Sequence, residues 1–215
     1  DVGIGLREDP YVADISQGEG FFKGGHTTMQ TQITRSQALA LLRKYNQEPF
    51  HILHGLTVEG TMRYFAREMG EDEDFWGLVG LLHDVDFEQF PEQHCEEAQE
   101  ILRQYGADER LIHAVASHGY AITVDIKPEH EMERVLYAVD ELTGLIGAVV
   151  RMLPTKSVQD LELKTLKKKF KDKKFAAGCS REVMLRGAEM FGWTPDELLT
   201  RTLQVMQACD AAGEL

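Results

Sequence analysis

A chain of 215 residues, 43% of them hydrophobic and carrying a formal charge of −13, is long enough to bury one sizeable core. The acidic balance argues against a binder of nucleic acid polymers or of anionic membranes, because both partners reward clustered Lys and Arg; it leaves room for a small phosphorylated substrate. Three cysteines with no CxxC pair give no disulfide framework and point to a reducing cytoplasm, and the longest apolar stretch, 142–150, falls far short of the roughly 20 residues a spanning helix needs.

Residues 1–33 are rich in glycine and show no helical period, so they read as an extension, poorly structured or derived from cloning, with Met29 a natural start. From residue 34 the chain reads as helical throughout, a single all-α domain with a core over 34–153 and a C-terminal subregion over 154–215. Thr34 and Gln37 form a capping box ahead of an apolar helix, and Thr194, Pro195 and Glu197 mark another start. Between them, helical spacing of apolar residues predicts helices over 52–69 (closed by Gly70), 74–84, 92–105 (opened by Pro91, closed by Gly106), 108–118 (closed by Gly119) and 131–152. The segment 160–175 is rich in lysine, a solvated amphipathic face or a phosphate-facing patch. Ser180 is expected to cap a helix running through Met190.

Six polar residues sit where packing alone does not want them. The run Leu81-Leu82-His83-Asp84 delivers an imidazole and a carboxylate at the end of a buried helix, and burying Asp84 without a partner would cost several kcal/mol. His54 shares a face with Val58, Met62 and Phe65, and His94, predicted just inside the helix opened by Pro91, shares one with Ala98 and Ile101. His118 ends the helix of Leu111 and Ala114, with Gly119 next to it giving the backbone freedom to turn close to a ligand. Asp140 shares a stripe with Leu136 and Thr143. Five helices each directing such a group inward suggest a metal site between the helices of a bundle. Mixed imidazole and carboxylate donors suit Mn, Fe, Co, Ni or Zn better than Ca or Mg, one ion or two. His54, His83, Asp84 and Asp140 would hold one ion, and Asp84 would bridge to a second held by His94 and His118. The chemistry implied is hydrolysis by a metal-activated hydroxide.

The order His54, His83-Asp84, Asp140 on helices resembles the HD-domain superfamily of metal-dependent phosphohydrolases, with the resemblance covering about Thr34 to Leu153. His94 and His118 are similar to the extra ligands of members with two metals. The resemblance implies a helical HD-type hydrolase acting on a phosphate ester, a nucleotide among the candidates. One departure is that the His-Asp-Ile-Gly form of the doublet is here His83-Asp84-Val85-Asp86. The nearby acids Asp86 and Glu88 are therefore the candidates for protonating the leaving group beside Asp84, and Lys156, Lys171 and Arg181 those for holding phosphate. Two alternatives stand beside this reading: a di-iron oxygenase using the same helical ligand set, and a non-catalytic ligand-binding domain that keeps metal for structure. The cysteines read as small buried hydrophobes, His26, His51, His113 and His130 as surface histidines, and Gly144 and Gly147 as points of close helix packing.

Overall fold

The computed structural model describes residues 33–215, so the expectations for residues 1–32, including Met29 and His26, lie outside it. Among the described residues there are nine α-helices: α1 Arg35–Tyr45, α2 Pro49–Met69, α3 Glu73–Leu82, α4 Glu96–Gln104, α5 Glu109–Ser117, α6 Glu131–Met152, α7 Leu163–Lys171, α8 Arg181–Met190 and α9 Pro195–Ala212. Both capping boxes form as the sequence leads one to expect, Thr34 with Gln37 at α1 and Thr194 with Glu197 at α9. Gly70 takes the left-handed conformation that closes α2, and Ser180 caps α8. Ile33, assigned to the extension on composition, is buried in the core.

Helices α2 and α6, with 21 and 22 residues the longest, are the frame. Helix α3 packs along α2 so closely that a Cβ on Gly80 would meet the Val58 carbonyl at 2.8 Å. On the other side α8 presses backbone to backbone on α6, where Gly187 faces Ala138. The core runs without a break from Leu41 and Leu42 through Leu81, Leu82, Leu136 and Leu142 to Leu166, Met184, Leu203 and Met206, so the C-terminal helices share it with the rest.

One predicted helix is divided. Pro91–Gln93 make a single 3-10 turn, His94 is extended (ψ 137°), and α4 begins only at Glu96. Cys95 between them adopts a left-handed φ of 69°, uncommon for a residue with a Cβ. The cause is Asp86, whose carboxylate accepts from the Cys95 and Ala98 amides at 2.8 and 2.9 Å and so caps α4 from outside its own sequence. His94 therefore stands on a connection rather than on a helix face.

Candidate metal centre

Helix α2 supplies His54 and α6 supplies Asp140, which meet where the two helices cross. Helix α3 ends at the point where His83 and Asp84 follow its last buried leucines, α5 ends at His118, and the connection before α4 brings in His94. The expected quartet converges. His54 Nε2 lies 3.0 Å from Asp140 Oδ1 and 3.2 Å from His83 Nε2; His83 Nε2 lies 3.1 Å from Asp140 Oδ1 and 3.3 Å from Asp84 Oδ2. The other two histidines meet the far oxygen of Asp84: His94 Nε2 and His118 Nε2 are 3.1 Å apart and each 3.4 Å from Asp84 Oδ1. The two carboxylate oxygens of Asp84 thus face two different pairs of histidines.

Ring orientation is fixed from behind. His83 Nδ1–H donates to the Gly80 carbonyl at 2.7 Å, His118 Nδ1–H to the Val115 carbonyl at 2.6 Å, and His94 Nδ1–H to Asp86 Oδ1 at 2.8 Å. With Nδ1 protonated, Nε2 of a neutral ring is a bare lone pair. In one group two such nitrogens, those of His94 and His118, face each other at 3.1 Å, and in the other His83 Nε2 lies 3.2 Å from His54 Nε2, with carboxylate oxygens around both. That arrangement repels itself unless positive charge sits inside it. A divalent ion about 2.1 Å from each donor would produce donor separations of this size, so the donor set fits a metal, and the carbonyl and carboxylate behind each ring are the usual supports of a metal-bound imidazole.

Electrostatics tell the same story. Burial works against the charged form of His83, yet Asp84 and Asp140 outweigh it and push the imidazole up to about 10. His94 is likewise burdened by burial but held at about 9, chiefly by Asp86, and His118 is raised well above its usual range. Burial also opposes ionisation of Asp84 and Asp140, but His83 holds both well below the carboxylate range. The pocket is built to retain cationic charge. Cys95 lies beside the His118 ring, Sγ 3.8 Å from Nε2, and is fully buried; burial raises its thiol while His118 lowers it, to about 6.

Other expected site residues have different work. Asp86 is fully buried, and its three side-chain partners are His94, Cys95 and Ala98, so it orients the His94 ring and caps a helix rather than facing a substrate. Glu88 accepts from His51 Nδ1 at 2.8 Å and from the Gln47 and Glu48 amides at the start of α2; these bonds, His51 foremost, lower its pKa, the wrong direction for a proton donor. Arg181 donates to the carbonyls of Lys169, Phe170, Asp172, Phe175, Ala176 and Cys179, and so ties the loop after α7 instead of awaiting phosphate. Lys156 and Lys171 are exposed, the first on the connection after α6 and the second at the end of α7. His113 pairs with buried Glu133 and His130 caps α6, both away from the centre.

Sequence reasoning passed over the aromatic rim. Phe50, 47% exposed, lies parallel to the His54 ring with centroids 6.4 Å apart, and Phe87, 40% exposed, meets the His94 ring edge-on at 5.1 Å. Exposed phenylalanines beside each half of a polar centre are a signal that only the fold reveals. Glu141, next to Asp140, is pushed up to about 7, first by burial and then by the Asp140 charge.

Residues 52–145 match the family model for the HD domain, a stretch that begins just before His54 and ends just after Asp140. The chain carries an HD domain. The HD match takes in all six convergent residues and most of the helices that present them. HD domains bind divalent metals, and here two groups, His54 with His83 and Asp84, and His94 with Cys95 and His118, have ligand atoms close enough to hold one. No solved structure matches the chain. Among the described residues no helix is long and apolar enough to cross a membrane.

Proposed function

We propose that this HD domain is a metal-dependent phosphohydrolase that cleaves a phosphate ester of a small substrate, with two ions sharing Asp84. The observation that carries the reading is the two groups of converging donors, His54 and His83 Nε2 3.2 Å apart in one and His94 and His118 Nε2 3.1 Å apart in the other, each beside a different oxygen of Asp84. His54, His83, Asp84 and Asp140 would hold the first ion; His94, His118 and Asp84 the second. Ions bound there supply an activated water and neutralise charge on a phosphoryl oxygen. The chain's own part is positional. The Gly80 and Val115 carbonyls and Asp86 hold three rings in the tautomer that leaves Nε2 available. Asp84 and Asp140 bring two negative charges against two dications, so the loaded centre stays net positive and attracts an anionic ester. Phe50 and Phe87 flank its mouth and shelter the reacting group from bulk water. Expected metals are Mn, Fe, Co, Ni or Zn.

The test is metal content and phosphate release measured on the same preparations. Wild type should bind about two equivalents of Mn or Co and hydrolyse phosphate esters. His118→Ala should keep one equivalent and lose activity by orders of magnitude, and His83→Ala should lose both ions. Full activity in His118→Ala with one equivalent would leave a mononuclear site of His54, His83, Asp84 and Asp140. Oxygen uptake by the iron-loaded protein, with no phosphate release from any ester, would replace hydrolysis by oxygenase chemistry.

A further inference from the structure

The face of α6 that carries Asp140 continues through Gly144 and Gly147 to Arg151, the spacing of one side of a helix. Close packing is the expected reason for the glycines; the structure shows it at Gly144 and something else at Gly147. A Cβ on Gly144 would press on Cys179 Sγ at 3.3 Å, whereas one on Gly147 would find nothing nearer than Arg151 Nη1 at 3.8 Å. Each costs about 1 kcal/mol against Ala in mid-helix. What Gly147 leaves, one turn beyond the Cys179 contact, is room beside Arg151 on a half-exposed stretch of the helix.

Arg151 folds back over that space. Its guanidinium lies over the Phe50 ring, 4.9 Å from the centroid, and Phe50 in turn lies parallel to His54. An arginine stacked in this way keeps its planar edge of N–H donors for an anion. Among the described residues no carboxylate pairs with Arg151, as five other arginines, Arg35, Arg63, Arg67, Arg103 and Arg186, do with theirs, while Arg43, Arg134, Arg181 and Arg201 form no such pair. From Asp140 to Gly147, the level to which the side chain returns, is seven residues, about 10 Å along the axis.

We propose that Arg151, on its Phe50 platform, receives a second anionic group of the substrate about 10 Å from the phosphoryl group that reacts at the histidine and aspartate centre. The proposal rests on the hydrolase reading and narrows its substrate class to phosphate esters that carry another phosphate or a carboxylate across a spacer of about a sugar's length. A spacer between the two passes beside Cys179 and over Gly147, where a side chain would stand in its way.

Hexane-1,6-diylbisphosphonate and hexylphosphonate, whose C–P bonds resist hydrolysis, serve as probes in calorimetric titrations of the metal-loaded full chain. Wild type is expected to bind the bisphosphonate about tenfold more tightly than the monophosphonate, one charge-assisted bidentate contact. Arg151→Gln should lose most of that preference, and Arg151→Lys should retain part of it. Gly147→Leu, which keeps the guanidinium and favours the helix, should reduce it by obstruction. Equal affinities in wild type, no binding of either probe, or a preference that survives Arg151→Gln overturns the proposal. Phosphate release from a panel of esters, assayed separately, reports on the hydrolase reading alone: a preference abolished by Arg151→Gln with no ester cleaved would end that reading and leave the anion subsite in place.

Discussion

Asp86 shows how far apart a residue's type and its role can lie. In the linear order His83-Asp84-Val85-Asp86 a second acid two residues past the doublet invites a catalytic assignment, because composition cannot say which of two carboxylates is buried. The fold makes it the common partner of three donors, the His94 ring and the Cys95 and Ala98 amides. Asp86→Asn keeps one acceptor oxygen but loses the charge and the second acceptor, so at least one buried N–H is left unpaired. We expect a loss of about 1–3 kcal/mol in urea unfolding, together with a metal affinity at the His94 position about 10–100-fold weaker. Stability lost without any change in metal binding would reduce Asp86 to a helix cap. His83, Asp84 and Asp140 were legible for the opposite reason: a polar group on an otherwise apolar stripe is conspicuous in one dimension. Arg181 was misleading in the same way as Asp86, since a cation in a lysine-rich region suggests phosphate, and nothing local reveals six carbonyls turned toward it.

At the scale of elements, boundaries set by residues within the element were read well, and those set from outside it were not. Thr34, Gly70, Ser180 and Thr194 cap their own helices and mark them in sequence. The start of α4 depends on Asp86, nine residues before Cys95 and in another element, so the periodic run after Pro91 looked like one helix. The contact of α8 with α6 has a similar hidden cause. A Cβ on Gly187 would overlap the Ala138 backbone, two residues before Asp140, and no flexible side chain is there to give way. Gly187→Ala is therefore expected to destabilise by about 1–3 kcal/mol despite its better helix propensity. The forced separation also tilts α6 at Asp140, so metal affinity should fall with it. A Gly187→Ala protein as stable as wild type, with unaltered metal titration, would show that the two helices have room the structure does not display.

On the scale of the whole molecule, the HD match covers 52–145 and stops inside α6, whereas the core does not stop there. Val149 is buried beyond the match, and Leu166, Met184, Leu198, Leu203 and Met206 from α7, α8 and α9 belong to the same apolar cluster as Leu136 and Leu142. The far end of α9 is bound to the middle of α2: Cys209 Sγ–H donates to the Gly60 carbonyl, a Cβ on Gly60 would meet the Glu214 carbonyl at 2.6 Å, and Arg67 pairs with Glu214 at 3.4 Å. Because α2 carries His54 and α6 carries Asp140, the C-terminal helices brace both sides of the centre from behind. A chain cut after Leu153 keeps every proposed ligand but exposes the apolar flanks of α2 and α6 to water, at about 25 cal/mol per Å². Such a fragment should lose cooperative thermal unfolding in far-UV circular dichroism and bind no stoichiometric metal. If it instead melted cooperatively within a few degrees of the full chain and held its ions, residues 154–215 would be an accessory to an HD domain that stands by itself.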